Sequence, residues 1–419
     1  MYSPKIAIIG AGPAGCLLAR LLHLSQIETI VFEGESSPNF RSQGGTLDLH
    51  TDTGLLALKE AGLFDDFKKQ ARYDGQYMAI VDKNHKYWFV NTAFGLGNKI
   101  QERPEIDRSK LRELLVNSLP KDMVKWGHRL KSVNEDGTLI FEHTTASGFD
   151  LVVGADGAWS KVRNLLAPDV KPLWTNIGLY SLSIPNAAET APELYKRVNR
   201  GNIFANSDGK RITIQQMGDG SLSVYASVTS ENENWSNPEV CGYDSNNLEA
   251  VKKALLEQYD DWNTDLTDSI AKAEGECTPR SLYVLPVGFK WTHRRGVTAI
   301  GDAAHLMTPY AGEGVNVALE DAMVLAKTII TSATIESGNP EMLDRMVEAF
   351  EKEMFPRAEK VQRLTAELMH DYMFTPGSPQ TTIATSIARH ARFATPWVIH
   401  PLVTGSVHSV FFMRRLLAR

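Results

Sequence analysis

The stretch that decides the fold is Lys5-Ile-Ala-Ile-Ile-Gly-Ala-Gly-Pro-Ala-Gly15, followed at once by Cys16-Leu-Leu-Ala-Arg-Leu-Leu-His23. The apolar run up to Ile9 lacks polar alternation, which is typical of a parallel strand buried on both faces. The second run predicts a helix, and Ile27-Glu-Thr-Ile-Val-Phe32 predicts another strand, which ends at Glu33. Strand, glycine-rich turn, helix, strand and acid in this order indicate the start of a Rossmann-like domain.

Each glycine of the turn has its own physical reason. Gly10 permits a tight turn, Gly12 lets a diphosphate approach the backbone, and Gly15 lets the helix lie close to the strand. The free N–H groups at the helix start attract the diphosphate. Glu33 lies 18 residues after Gly15, near the position expected of an acid that binds a ribose diol. The alternative is a turn that only connects two elements, and it leaves Glu33 unexplained.

Two later predicted strands also carry glycine and aspartate residues at their carboxyl ends. The first is Asp150-Leu-Val-Val-Gly-Ala-Asp-Gly157, which leads into Ser160-Lys-Val-Arg163. The second is Gly296-Val-Thr-Ala-Ile-Gly-Asp-Ala-Ala-His305, which continues through Pro309-Tyr-Ala-Gly-Glu-Gly-Val-Asn316 into a predicted helix. In an open parallel sheet, ligands bind outside the carboxyl ends of the strands. We therefore expect three distant segments to contribute to one site.

Simpler roles remain open for several of these residues. Asp302 could cap the turn after its strand, and Asp156 could terminate its strand. Arg112 could lie on a solvated helix face. His305 is more typical of an orienting or structural histidine, so it is not included among the catalytic candidates.

The middle of the chain changes pattern. Residues 77–81 and 87–90 resemble a hairpin, and residues 177–184, 211–217 and 221–228 alternate apolar with polar side chains, as antiparallel strands with one covered face do. We predict a discontinuous dinucleotide-binding domain, a substrate-binding domain and a C-terminal helical region. Their predicted bounds are 1–75, 102–172 and 285–335 for the first, 76–101 and 173–284 for the second, and 336–419 for the third. The stretch 341–373 predicts a long helix that Pro356 would kink.

Composition narrows the class of protein. The chain has 419 residues, 43% of them hydrophobic and 22% charged, with a formal net charge of -6, so a basic surface for nucleic acid is not expected. The three cysteines are far apart in no metal-ligand spacing, which predicts no disulfide framework, no metal site and a reducing, cytoplasmic location. The tail from Trp397 to Leu417 is broken by His400, Pro401, Gly405 and His408 and predicts a helix packed on the body, with peripheral membrane contact as the minor alternative.

Together these motifs resemble the FAD-dependent aromatic hydroxylases, the single-component flavoprotein monooxygenases. Gly44-Gly-Thr-Leu-Asp-Leu-His50, Glu105-Ile-Asp-Arg-Ser-Lys-Leu-Arg112 and Gly301-Asp-Ala-Ala-His-Leu-Met307 resemble the tetracycline-inactivating monooxygenases in particular. The resemblance covers roughly residues 1–370 and implies an α/β fold. That fold has a Rossmann-like FAD-binding domain with a parallel sheet, interrupted by an antiparallel substrate domain, plus C-terminal helices.

The resemblance also implies roles for individual residues. Asp48 would lie by the adenine or the mobile flavin, Arg112 by the phosphate–ribityl region, and Asp302 would bond the ribityl or phosphate portion. Asp156 and Gly157 would serve FAD and the nicotinamide nucleotide together. The subgroup commonly has Arg directly after the ribose acid, where this chain has Gly34, and Arg41 could substitute. The implied cofactor-binding residues are Gly10, Gly12, Ala14, Gly15, Glu33, Arg41, Asp48, Arg112, Asp156, Gly157, Gly301, Asp302, Pro309, Gly312, Gly314, Val315 and Asn316.

The implied activity is that of a monooxygenase that uses FAD, NADPH or NADH, and O2. It would insert one oxygen atom, through a flavin hydroperoxide, into a bulky, partly aromatic small molecule such as an antibiotic or secondary metabolite. No side chain is nominated as catalytic, since the chemistry centres on the flavin, supported by the helix start at Gly312, Gly314 and Val315. The resemblance implies a monomer or weak dimer without nucleic acid, metal or stable membrane insertion. The alternatives are a flavoprotein reductase or halogenase on the same fold, or a non-catalytic flavoprotein that sequesters a ligand.

Overall fold

A computed structural model describes residues 2–38, 44–75, 77–91, 103–335 and 338–417. The strands of these residues are β1 (Lys5–Ile9), β2 (Glu28–Phe32), β3 (Thr46–Asp48), β4 (Met78–Val81), β5 (Tyr87–Asn91), β6 (Glu105–Asp107), β7 (Val124–Lys125), β8 (Leu130–Val133), β9 (Leu139–Phe141), β10 (Thr145–Ala146), β11 (Leu151–Gly154), β12 (Leu173–Ile184), β13 (Asn202–Ser207), β14 (Lys210–Gln216), β15 (Leu222–Thr229), β16 (Glu274–Val284) and β17 (Val297–Ala299).

The helices of the same residues are α1 (Pro13–Leu24), α2 (Gly54–Glu60), α3 (Phe64–Lys68), α4 (Arg108–Asn117), α5 (Lys161–Leu166), α6 (Ala187–Thr190), α7 (Pro192–Val198), α8 (Pro238–Cys241), α9 (Leu248–Gln258), α10 (Thr264–Ala271), α11 (Asp302–His305), α12 (Gly314–Thr334), α13 (Pro340–Met373), α14 (Ile383–Phe393) and α15 (His400–Leu417). Two 3₁₀ turns, Pro309–Ala311 and Trp397–Ile399, precede α12 and α15. None of the described helices is long and apolar enough to cross a membrane.

The chain forms two compact units. The first comprises residues 1–73, 98–173 and 283–363, and the second comprises residues 74–97, 174–282 and 364–419. The division falls within α13, between Arg363 and Leu364. The functions assigned above to the predicted domains stay predictions.

The first unit contains a parallel sheet with the strand order β17-β11-β1-β2-β7. Its strands are short apolar runs that are buried on both faces, with Ile8 and Val153 on one face and Ala7 and Val152 on the other. The α1 helix packs its apolar side against α12. The carboxyl ends of β1, β11 and β17, where the predicted ligand motifs begin, therefore lie side by side at one edge.

The second unit is built on a larger sheet with the strand order β16-β12-β15-β14-β13-β4-β5. The pairs β12–β15, β14–β15, β13–β14 and β4–β5 are antiparallel, whereas β4 and β13 pair in parallel. Alternate residues of β14 and β15, such as Ile212, Ile214, Val224 and Ala226, face a buried core of their own. The predicted fold, a parallel α/β sheet interrupted by a largely antiparallel one and followed by C-terminal helices, is confirmed.

Candidate functional site

The turn between β1 and α1 is held by backbone packing. Gly10 has a φ of 105°, and a Cβ there would lie 2.3 Å from the carbonyl oxygen of Ala155. A Cβ on Gly15 would lie 2.1 Å from the carbonyl oxygen of Gly10. A Cβ on Gly12, in contrast, would meet nothing within 4 Å. Gly10 and Gly15 are thus required by the fold, whereas Gly12 borders open space at the start of α1.

The start of α1 is suited to an anion. Gly12 is its N-cap and Pro13 its first residue, and the N-cap glycine has no side chain with which to cap the amides that follow. Uncapped N–H groups at a helix start, together with the helix dipole, form a binding site for a phosphate. Ala14 is buried beside the turn, and a Cβ on Gly301 would lie 3.5 Å from the Ala14 Cβ. The structure thus brings the β17 motif against the β1 motif.

Glu33 and Arg112 close the turn from the other side. The Ala11 amide donates to Glu33 Oε2 at 2.7 Å, and the Glu35 amide donates to Oε1 at 2.9 Å. Arg112 Nε donates to the Ala11 carbonyl oxygen at 3.2 Å, and its Nη2 lies 2.7 Å from Glu35 Oε2. A carboxylate has about four acceptor positions, so Glu33 retains acceptor capacity for the hydroxyls of a ribose. This arrangement fits the predicted adenosine end of FAD.

Asp156 is engaged with its own helix. Its Oδ1 accepts from Ser160 Oγ at 2.5 Å, and its Oδ2 accepts from the Lys161 amide at 2.7 Å, so it caps α5. Burial raises the pKa of Asp156 more than these hydrogen bonds lower it. Gly157 follows with a φ of 73°, a conformation that favours glycine. The role predicted for Asp156 and Gly157 toward FAD and nicotinamide stays a prediction, and the side chain of Asp156 shows a structural role.

Arg163 joins the two later motifs. It is almost fully buried, and its Nη1 donates to the Ala303 carbonyl oxygen at 3.0 Å while its Nη2 donates to the Ala158 carbonyl oxygen at 2.6 Å. Burial lowers its pKa, and Asp156 and Asp302 oppose that shift. The sequence analysis noted this arginine within its motif but assigned it no role. Its link holds the turn after β11 to α11.

Asp302 begins α11 and is exposed, as a group that reaches a ligand must be. Its neighbour Gly301 is tied to α12, since the Gly301 amide donates to Asp321 Oδ2 at 3.1 Å. His305 Nε2 lies 2.5 Å from the same oxygen, and Arg357 Nη2 lies 2.7 Å from Oδ1. The structure therefore places His305 in a buried ion pair, a structural setting.

Asp321 is the centre of this buried network. Burial acts to raise its pKa, but the neighbouring His305 and Arg357 outweigh burial and hold the pKa below its usual value. The same carboxylate raises the pKa of His305 despite the burial of the ring. Sequence reasoning missed Asp321 and Arg357. The available signal was an acid in the otherwise apolar helix that follows Asn316.

The start of α12 forms the second open helix terminus. Gly312 has a φ of 71°, and a Cβ there would lie 3.5 Å from Asp48 Oδ1. Among the described residues, no atom lies within 4 Å of a Cβ built on Gly314, and the N-cap Glu313 makes no side-chain hydrogen bond to this helix start. Pro309 opens the preceding 3₁₀ turn, and Val315 packs against the main core. Gly314 thus borders open space at the helix start, and the flavin-edge role predicted for this helix start stays a prediction.

Asn316 and His50 fasten this helix start to the segment after β3. Asn316 Nδ2 donates to the Asp48 carbonyl oxygen, and its Oδ1 accepts from the His50 amide, each at 2.9 Å. His50 Nε2 lies 3.0 Å from Asp48 Oδ2, and its Nδ1 lies 3.2 Å from Glu313 Oε2. We call Asp48, His50, Glu313 and Asn316 the clamp. Both polar atoms of the Asn316 side chain are engaged in these contacts. The side chain can therefore position the helix start, but it cannot reach a cofactor with both of these atoms.

Charge stabilises the clamp. Burial acts to lower the pKa of His50, but hydrogen bonds to Asp48 and Glu313 outweigh burial and raise it to about 9. Burial acts to raise the pKa of Asp48, and His50 together with Arg103 holds it below its usual value. A protonated His50 therefore lies between two carboxylates at neutral pH. Sequence reasoning named Asp48 and Asn316 but missed His50 and Glu313, although both lie within motifs that it quoted.

The predicted residues thus meet in three groups. Gly10, Gly15 and Asp156 meet around Ala155, Glu33 and Arg112 meet at Ala11, and Asp48 meets Gly312 and Asn316. Arg41, the proposed substitute for the missing arginine at Gly34, lies outside the described residues.

Comparison with known proteins extends these findings. The family described as the FAD binding domain matches residues 4–365. A monooxygenase of Penicillium thymicola, PenA, is 32% identical over 411 aligned positions, which cover 86% of this chain and 93% of the relative. A 3-amino-4-hydroxybenzoate 2-monooxygenase of Streptomyces platensis is 28% identical, over an alignment that covers 90% of this chain and 91% of the relative.

A solved structure has the same fold at lower identity. The tetracycline destructase Tet(51) superposes with a TM-score of 0.67 and 18% identity over 94% of this chain and 97% of its own. The predicted similarity to FAD-dependent monooxygenases is confirmed, and the tetracycline destructase shares the fold of this chain.

Proposed function

We propose that this chain, which belongs to the FAD binding domain family and is a flavin-dependent monooxygenase, uses NADPH or NADH as its electron donor. In this proposal it inserts one oxygen atom from O2 into a bulky, partly aromatic small molecule. The family and the enzyme class rest on the match over residues 4–365 and on relatives of similar length. The electron donor, the substrate and the site residues are parts of the proposal.

The observation that carries the proposed cofactor site is the contrast among its glycines. Gly10 and Gly15 have no room for a Cβ, whereas Gly12 and Gly314 border open space at two uncapped helix starts. Such termini bind anionic or electron-rich groups through their N–H groups. In our proposal Gly12 and the start of α1 bind the diphosphate, and Glu33 binds the adenosine ribose beside Arg112. Asp302 binds the ribityl portion.

In our proposal the flavin end of FAD lies at the start of α12. Its uncapped amides from Gly314 onward would donate to the pyrimidine edge, where negative charge develops during reduction. The clamp orients this helix start without touching the ring. Bound FAD, once reduced by the nicotinamide, would supply the O2-activating chemistry, for which we propose the flavin hydroperoxide that the motifs imply. No side chain is proposed as a general base.

The substrate class is inferred from chemistry and from relatives. Oxygen transfer of this kind needs an electron-rich carbon, and the Streptomyces platensis relative is named for an aminohydroxybenzoate. We propose an aromatic or polycyclic secondary metabolite or antibiotic as the substrate. The cytoplasmic location and the monomeric or weakly dimeric state also stay predictions.

The cofactor site is tested with Gly12→Ala. The added methyl group has space in the protein alone but occupies the path of the diphosphate, so we expect FAD affinity to fall at least about tenfold. The free energy of unfolding of the flavin-free protein should change by only about 0.5 kcal/mol. Flavin fluorescence titration and urea unfolding measure the two quantities.

Gly405→Ala is the matched control, because its Cβ would also meet nothing within 4 Å but lies far along the chain from the motif. It should bind FAD like the unmodified protein. If Gly12→Ala bound FAD normally, the diphosphate would not lie at this turn.

The reaction is tested by incubating the purified protein with NADPH or NADH, isotopically labelled O2 and a panel of aromatic and polycyclic compounds. We expect faster nicotinamide oxidation with a productive substrate and a product heavier by one labelled oxygen atom. Protein that stays colourless after FAD is added and ignores the nicotinamide would contradict the proposal and favour a ligand-binding role.

A further inference from the structure

The C-terminal segment 396–413 exposes large apolar side chains. Trp397 is 79% exposed, Leu402 72%, Phe412 64% and Val398 62%, which makes them the four most exposed large apolar residues among those that the structure describes. Met413 and Val410 extend the same surface. A contiguous exposed apolar surface usually marks an interaction site.

This surface is not the packed side of its helix. The α15 helix packs on α14, and Phe411 is buried while Val403 and Val407 are half-buried. These three residues are four positions apart and therefore share one face. A surface helix of a globular protein normally carries polar residues on its other face. Here that other face includes Leu402, Phe412 and Met413, so it requires a different explanation.

The charge of the segment points to a partner. The sequence contains no Asp or Glu after Asp371, whereas the whole chain has a net charge of -6. Arg389 is paired with Glu367 and Asp371. The other basic residues beyond Asp371 have no acid within the segment, and they are Arg392, Arg414, Arg415 and Arg419. A segment with this excess of arginines and with exposed Trp, Leu and Phe side chains fits an anionic lipid headgroup region.

Two other occupants fit less well. No described helix is long and apolar enough to cross a bilayer, and Pro396 and Pro401 interrupt the segment. A second copy of the chain in a two-fold dimer would place this surface against itself. Two segments of the same positive charge, with no Asp or Glu after Asp371, would then be brought together, which costs free energy.

We propose that residues 396–417 form a peripheral membrane-binding segment that lies in the headgroup region of an anionic bilayer and inserts Trp397, Leu402 and Phe412. The segment follows the end of the family match at residue 365. The proposal does not depend on the reaction assigned above. It concerns where the enzyme contacts a lipid surface, not how oxygen is transferred.

The test is sedimentation of the full chain with vesicles of phosphatidylcholine, with and without phosphatidylglycerol. We expect the protein to sediment with the anionic vesicles at low salt and to bind pure phosphatidylcholine at least about tenfold more weakly. Raising the salt concentration should release it, because screening weakens the attraction between the arginines and the lipids. Protein that remains in the supernatant with both vesicle types at low salt would overturn the proposal.

A triple variant locates the surface. Trp397→Ser, Leu402→Ser and Phe412→Ser together should reduce binding to the anionic vesicles at least about tenfold, because the inserted apolar area is lost. The matched control replaces three apolar residues that are about half exposed elsewhere, Leu24→Ser, Leu173→Ser and Val240→Ser, and should bind like the unmodified chain. Both variants change exposed side chains, and circular dichroism checks that both are folded.

Two outcomes overturn the assignment. The first is a triple variant that binds vesicles as well as the unmodified chain. The second is an unmodified chain that forms a dimer and ignores vesicles, while the triple variant is monomeric, which would make the surface a self-association interface. Bromine-labelled lipids add an independent readout. They should quench the emission of the unmodified protein more than that of Trp397→Phe if Trp397 enters the bilayer.

Discussion

The turn after β1 and the start of α12 are both open helix termini, yet they are held in different ways. The first turn is fixed by backbone packing, since Gly10 lies directly against Ala155 and Gly15 against Gly10. The second is fixed by the clamp, in which His50 and Asn316 join segments more than 260 residues apart. Backbone packing is insensitive to pH, whereas the clamp depends on ionised side chains. One family site therefore combines a rigid half with a half that responds to charge.

The largest effect on stability is expected at Asp321, which lies within α12. Asp321→Asn removes the buried carboxylate that pairs with His305 and Arg357 and accepts from Gly301. Leaving buried cations without their partner costs about 3–5 kcal/mol. We expect a decrease of about that size in the free energy of unfolding, measured with urea. A decrease of less than about 1 kcal/mol in the free energy of unfolding would show that the ion pairs of Asp321 do not stabilise the region around α12.

Gly10→Ala probes the rigid half. The added Cβ would lie 2.3 Å from a backbone oxygen at a φ of 105°, so strain and overpacking should destabilise the protein by about 3 kcal/mol. Urea unfolding measures this loss, and Gly12→Ala is its control at the open position of the same turn. Equal stability of the two variants would contradict the distinction between packed and open glycines.

Asn316→Ala breaks the neutral part of the clamp. It leaves the Asp48 carbonyl oxygen and the His50 amide without their partner, which costs about 2 kcal/mol. The free energy of unfolding should decrease accordingly, and flavin fluorescence should report weaker FAD binding in the folded protein. Unchanged FAD affinity would show that the clamp does not position the cofactor-binding helix start.

The smallest effect is expected from the pH dependence of His50. Its pKa is raised from the ordinary 6.5 to about 9 in the folded protein. The stabilisation is therefore fully present below pH 6.5 and is lost as the pH rises through about 9. We expect the free energy of unfolding to decrease across this window.

His50→Gln is the control for that titration, since it keeps a polar side chain but cannot become charged. The difference in free energy of unfolding between the two proteins should shrink as the pH rises from 6.5 to about 9. A constant difference over this range would mean that His50 is not protonated between Asp48 and Glu313.

The rigid half could be predicted almost completely from the sequence. The glycines, the helix and Glu33 lie within one stretch of local sequence, and their order and spacing are typical of a dinucleotide-binding turn. The clamp could not be predicted in the same way. His50 and Glu313 are ordinary polar residues in quoted motifs, and nothing local indicates that they meet. Asp156 illustrates the remaining limit, because its carboxylate caps α5 while its predicted ligand role is untested.

Local order and residue type were enough to predict the βαβ start and the antiparallel strands of the second unit, whereas the flavin-binding class followed from the resemblance of the motifs to a known family. Such properties depend on hydrogen bonding and side-chain periodicity within a few residues, which the printed sequence contains. The ion pairs at Asp321, the clamp and the exposed apolar side of α15 became apparent only after folding. Each depends on which distant segments pack together, and many sequences with the same local pattern could pack differently.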